Sequence, residues 1–144
     1  MRKSKISISG FKIGTAENRE GLTGVTVILA PDGGATAGVD VRGCAPGTRE
    51  TDLLDPRKTV QKIHAVVLSG GSAFGLEAAS GCVKYLAEQG VGFPIGNVCV
   101  PIVCSAVLFD LMIGDEKAYP DLLMGYEAAK SCLLYTSDAA DEED

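Results

Sequence analysis

The chain has 144 residues, enough for one domain with a core of its own. Five acids (Asp138, Asp141, Glu142, Glu143 and Asp144) supply most of its net charge of -6, so the body is close to neutral and lacks the basic footprint of a nucleic-acid or membrane-surface binder. No apolar run is long enough to cross a bilayer, and Met1-Arg2-Lys3-Ser4-Lys5 is not followed by the apolar stretch of a signal peptide, which leaves the cytoplasm as the expected location.

Partial alternation from Lys5 to Ile13 predicts a half-buried strand. A stronger one runs from Leu22 to Leu29, with Val25, Val27 and Leu29 on one face. Pro31-Asp32-Gly33-Gly34 is a tight-turn signal, after which Ala35 to Val41 is expected to return as an antiparallel partner. Arg42 to Asp52 reads as a polar loop, and Asp55-Pro56 as the N-cap and first residue of a short helix reaching Ile63. His64 to Leu68 is a continuous apolar run, expected as a strand buried on both faces. Ser69-Gly70-Gly71-Ser72 breaks it, and a helix should follow from Ala73 to Gln89, with Leu76, Ala79, Val83 and Leu86 inward and Gly90 as its cap. Pro101 to Val103 and Val107 to Phe109 form a further apolar stretch. Pro120-Asp121 precedes a helix over 122–130 with Leu123, Tyr126 and Ala129 on one face. The fold class is therefore α/β, in one domain without repeats.

The strand–Ser69-Gly70-Gly71-Ser72–helix junction is the place where chemistry could sit. Its glycines admit a close ligand, and the N–H groups of a helix start suit a carboxylate, a phosphate or a developing oxyanion. The plainer reading is a chain turn with Ser72 as a helix cap. No P-loop is present, and Gly70-Gly71-Ser72-Ala73-Phe74 lacks the last glycine of a nucleophile elbow. His64 reads as a structural histidine. Arg42 and Arg49 could grip a carboxylate, or Arg49 could pair with Glu50 or Asp52 and fix the loop. Asp110 and Asp115 have no partner at useful spacing, which points to solvated or capping roles. The five cysteines form no Cys-x-x-Cys pair and His64 is the one histidine, so neither a metal nor another cofactor is expected; Cys82, Cys99 and Cys104 read as small buried residues.

Three blocks taken in order, Gly24 to Pro31 with Val41 to Pro56, Ala65 to Leu76, and Val100 to Leu111, resemble the L-aminopeptidase/D-esterase family, whose relatives include β-peptidyl aminopeptidases and nylon-oligomer hydrolases. The resemblance runs from Ile6 to Ser131. It implies an αββα layered sandwich like that of ornithine acetyltransferases. It also implies a precursor that cleaves itself to free the Ser or Thr at the start of a β-subunit, and that residue attacks peptide, amide or ester substrates. The new α-amine is one possible base for that hydroxyl. No processing site of this type follows Ser131, so residues 1–131 are expected to be an N-terminal part lacking the nucleophile, with no catalytic residue of its own. Ser69, Gly70, Gly71, Ser72 and Phe109 are then candidates for the substrate pocket or oxyanion side. The complete protein is expected to form homo-oligomers. Nylon-oligomer hydrolases have tyrosine where Phe109 stands, some β-peptidyl members have an acid around residues 105–107, and the family usually has glycine at Cys44. Residues 132–144, from Cys132-Leu133-Leu134-Tyr135 onward, resemble a translated sequencing adapter and are expected not to belong to the native protein. Two other functions stand beside the hydrolase: acyl transfer of the ornithine-acetyltransferase type, and a non-catalytic anion-binding module.

Overall fold

In a computed structural model, residues 8–134 are described. A six-stranded mixed sheet has the order β3-β7-β4-β2-β1-β8, and two helices cover one of its faces. The strands are β1 (Lys12–Asn18), β2 (Thr23–Leu29), β3 (Thr48–Arg49), β4 (Ala65–Ser69), β7 (Val103–Val107) and β8 (Leu133–Leu134). A separate hairpin joins β5 (Phe93–Ile95) to β6 (Val98–Val100). The helices are α1 (Ala78–Glu88) and α2 (Leu122–Lys130).

β2 is the strand the alternation predicts, with Val25, Val27 and Leu29 buried on the helix side. Its partners differ from expectation. Lys12–Asn18 pairs along one edge and β4 along the other, so Ala35 to Val41 has no edge of β2 left to join. That segment contributes one isolated bridge, Ala35 with Ile63. The predicted first strand is displaced: Lys5 to Ser7 lie outside the described residues, a turn occupies 8–11, and pairing starts at Lys12.

The helix expected from Asp55 to Ile63 is absent. A short 3-10 helix occupies Asp52–Leu54, and Asp55 is extended (ψ 124). The Asp55 carboxylate accepts from the Arg57 N–H and its guanidinium, which closes a turn in place of capping a helix. Strand β4 is buried on one face only, since Leu68 is 45 % exposed. The sheet explains this. Ala65, Val67 and Ser69 face the helices, while Val66 and Leu68 join Ile28 and Ile13 on the uncovered side.

After β4 the chain forms a 3-10 helix over Ser72–Glu77 before α1 begins, so the predicted helix starts late. It ends as predicted. Gly90 N–H donates to Ala87 and Val91 N–H to Leu86, the paired bonds of a Schellman motif. In α2, Asp121 caps the helix by accepting from Met124 N–H at 2.8 Å. Its buried face is Gly125, Ala128 and Ala129, and Leu123 is exposed. Small residues win because α2 lies backbone to backbone on α1: a side-chain carbon on Gly81 would strike Leu122 and Tyr126, and one on Gly125 would strike Ala78. Ala78, Ala79, Cys82, Leu86, Ala128 and Ala129 close the core against the sheet. Cys99 is exposed on β6, contrary to expectation, because no residue of the β5–β6 hairpin belongs to this core. The adapter-like reading concerns 132–144; of these, Leu133–Leu134 pair with Lys12 and Ile13, and 135–144 lie outside the described residues.

Candidate active site

An open cleft of about 590 Å³ lies at the C-terminal end of β4, on the sheet side the helices leave bare. Thr15, Thr23 and Thr26 supply hydroxyls, Leu22 and Leu108 apolar walls, and Gly70 and Asp110 part of the floor. Two left-handed residues without the freedom of glycine flank it, Leu22 (φ 55) and Ser72 (φ 51). Each such residue costs of order 1–3 kcal/mol and persists only where surrounding contacts over-determine it.

Those contacts centre on the Ser69–Ser72 turn. Gly70 N–H donates to Gly24 (2.9 Å), Gly71 N–H to Asp110 Oδ1 (2.6 Å) and Ser72 N–H to Leu108 (2.9 Å). All three amides are thus engaged within the chain, which corrects the expectation of free donors there for an anion or oxyanion. A carboxylate of the protein already occupies that position. Ser69 is buried and donates to the Gly70 carbonyl at 3.0 Å, and Ser72 makes no side-chain cap.

Asp110, which spacing left without a partner, has two: its Oδ2 accepts from Thr23 Oγ1 at 2.7 Å. The two residues stand 87 positions apart in sequence, so no local pattern announces the contact. The Asp115 carboxylate accepts locally from Lys117 N–H at 2.9 Å, while its backbone N–H donates to the Gly21 carbonyl at 3.3 Å. Phe109 is 70 % exposed beside the cleft-lining Leu108.

The remaining predicted residues lie elsewhere. Arg42 pairs with Asp40 on the surface. Arg49 donates to Ser80 Oγ at 2.6 Å and to the Leu76 carbonyl at 3.4 Å, so it fixes its loop to the helical segment and not to Glu50 or Asp52. Neither lines the cleft. His64 stands at the opposite end of β4, 7 % exposed, its Nδ1 accepting from Ile102 N–H at 3.0 Å. Burial holds its pKa below the usual histidine value, and its position keeps it from acting as a base at Gly70. Burial pushes the thiol of Cys82 up to about 12 and those of Cys104 and Cys132 to about 11, which makes them poor nucleophiles. Among the described residues no group of His, Cys, Asp and Glu is arranged to hold a metal ion, and no helix is long and apolar enough to span a membrane.

Residues 6–132 match the family model of Peptidase family S58. The chain is 50 % identical over 108 residues to an uncharacterized aminopeptidase of Mycobacterium leprae (strain TN), which covers 75 % of this chain and 30 % of that protein. It is 36 % identical over 124 residues to a 6-aminohexanoate-oligomer endohydrolase of Paenarthrobacter ureafaciens, covering 86 % of this chain and 32 % of that protein. The chain thus spans about a third of the length of these curated relatives. Among solved structures, ornithine acetyltransferase complexed with ornithine, from Mycobacterium tuberculosis, superposes with a TM-score of 0.52 at 18 % identity, covering 92 % of this chain and 73 % of that one. This likeness shows the α/β fold, of the layered-sandwich type.

Proposed function

The chain belongs to peptidase family S58, and on that premise we propose that it is the N-terminal part of a self-cleaving aminopeptidase-type hydrolase that binds peptide, amino-acid amide or ester substrates over the β4 cleft. The observation that carries this reading is the bare side of the sheet. Among the described residues Ile13 and Leu68 are exposed there, beside half-buried Ile28 and Val66, and the cleft opens on the same side. A second layer from further polypeptide would bury that apolar surface at roughly 25 cal/mol per Å² and would bring its own groups to the cleft.

The chemistry supports the same division. Ser69 is committed to the Gly70 carbonyl, and His64 stands at the far end of its strand. In this reading the attacking hydroxyl is, as the family resemblance implies, the N-terminal Ser or Thr of a downstream segment freed by autoproteolysis, with its α-amine as one possible base. Leu22 and Leu108 would receive apolar parts of the substrate, and Gly70 would let the scissile group approach the backbone. We place the complete enzyme in the cytoplasm, as a homo-oligomer, without a cofactor.

The test uses the complete gene product. It should appear as two polypeptides, the smaller beginning with Ser or Thr by N-terminal sequencing, and should release p-nitroaniline from amino-acid anilides. A product that stays uncut and inactive on anilides, amides and esters defeats the proposal. Turnover that appears only when N-acetylornithine and glutamate are supplied together would assign acyl transfer in its place.

A further inference from the structure

The loop after β7 is attached to the domain in an unusual way. Leu108, Phe109 and Met112 are each at least 70 % exposed, so apolar burial does little to hold it. Its hold is polar. Leu108 N–H donates to the Ser69 carbonyl at 2.8 Å and the Leu108 carbonyl accepts from Ser72 N–H, while the Asp110 carboxylate binds Gly71 N–H with one oxygen and Thr23 Oγ1 with the other. The residues on either side of those last two anchors are the left-handed Leu22 and Ser72. Gly70 lies directly beneath: a side-chain carbon there would collide with both Asp110 Oδ2 and Thr23 Oγ1.

We propose that Asp110 is the positioning residue of the cleft floor, fixing Gly70 and Leu22 in the arrangement the substrate meets. This rests on the reading of the cleft as the substrate site. Capping the helical turn needs only the Oδ1 bond to Gly71. The second bond, across to Thr23 at the start of β2, ties the turn to the cleft wall that carries Leu22. One carboxylate therefore sets the spacing between floor and wall, with one oxygen bonded to each.

The experiment compares Asp110→Ala, Asp110→Asn and Thr23→Val in the complete gene product, by kinetics and by amide hydrogen exchange. Asp110→Ala should lower kcat/KM for an amino-acid anilide by about tenfold or more, chiefly through KM, because a displaced floor misplaces the substrate. Asp110→Asn should restore kcat/KM to within about threefold of wild type, since its carbonyl still accepts from Gly71 and its NH₂ donates to a reoriented Thr23 hydroxyl. Thr23→Val should fall between. Gly71 exchange should quicken about tenfold in Asp110→Ala while Cys82 and Ala128 in the helices keep their rates. Asn as defective as Ala, a Thr23→Val enzyme with no turnover, or exchange that rises equally in the helices or not at all at Gly71 would each overturn the proposal. A wild-type product without turnover defeats the hydrolase reading instead, and the exchange arm then decides Asp110 alone.

Discussion

Replacing Gly125 with alanine tests whether the two helices truly meet backbone to backbone. The added carbon would lie 2.6 Å from the Ala78 carbonyl carbon and 2.8 Å from its Cα, with the Ala78 oxygen closer still. Ordinary carbon contacts lie near 3.5–4.0 Å, so α2 must lift by about 1 Å, which forfeits a quarter to a half of the dispersion energy along the seam. Ala78, Ala79, Cys82, Ala128 and Ala129, all fully buried, share that loss. Overpacking of this kind costs about 1–3 kcal/mol, and the clash with rigid backbone puts Gly125 at the upper end. Alanine regains about 1 kcal/mol of helix propensity, leaving a net loss of about 2 kcal/mol and a fall in Tm of roughly 8 °C. Gly38→Ala is the control: open space surrounds it, and its effect should stay within about 0.5 kcal/mol. Thermal and urea melts followed by circular dichroism read both. If Gly125→Ala melts with the wild type while the control behaves, the close crossing is wrong.

The Asp55 carboxyl, held down to about 2 by its hydrogen bonds to Arg57, should titrate there by NMR and return toward 3.8 in Arg57→Gln. Because its folded pKa lies below the unfolded one, its contribution is complete above about pH 4 and fades as pH falls toward 2. His64 follows the same sign: burial lowers its pKa from 6.5, so stability present above that value declines as acid forces a proton onto the buried ring, and His64→Gln should flatten this part of the pH–stability curve. Under native conditions iodoacetamide should label the exposed Cys44 and Cys99 first and spare Cys82, as peptide mass mapping would show; prompt labelling of Cys82 would contradict its burial.

What the sequence conveyed well was local. The alternation of Val25, Val27 and Leu29, the cap at Gly90 and the helix over 122–130 all appear in place, because each depends on neighbours a few residues away. Long-range competition decided the rest. Ala35 to Val41 had strand-like residues, but both edges of β2 were taken, one by Lys12–Asn18, whose Gly14, Ala16 and Asn18 give little strand signal. Asp55-Pro56 carried a helix-start signature, and the Arg57 guanidinium drew the carboxylate into a turn instead. The Ser69–Ser72 junction stood out by its glycines, yet what occupies the Gly71 amide, Asp110, and what lies across from it, Thr23, are brought together only by the folded chain.

The sheet order also bears on how the chain folds as it is made. β1, β2 and β4 are neighbours in space and are all made by the time Ser69 is available, so they can assemble then as an antiparallel unit. β3 is made before β4 but touches neither that strand nor β2; its partners are Ser105 and Ala106 of β7. Thr48 and Arg49 must therefore wait, unpaired, while α1 and the β5–β6 hairpin are built. The addition of β7 beside β4, which at last gives β3 a partner, is expected to be a slow step on the ribosome, because it closes long stretches of chain.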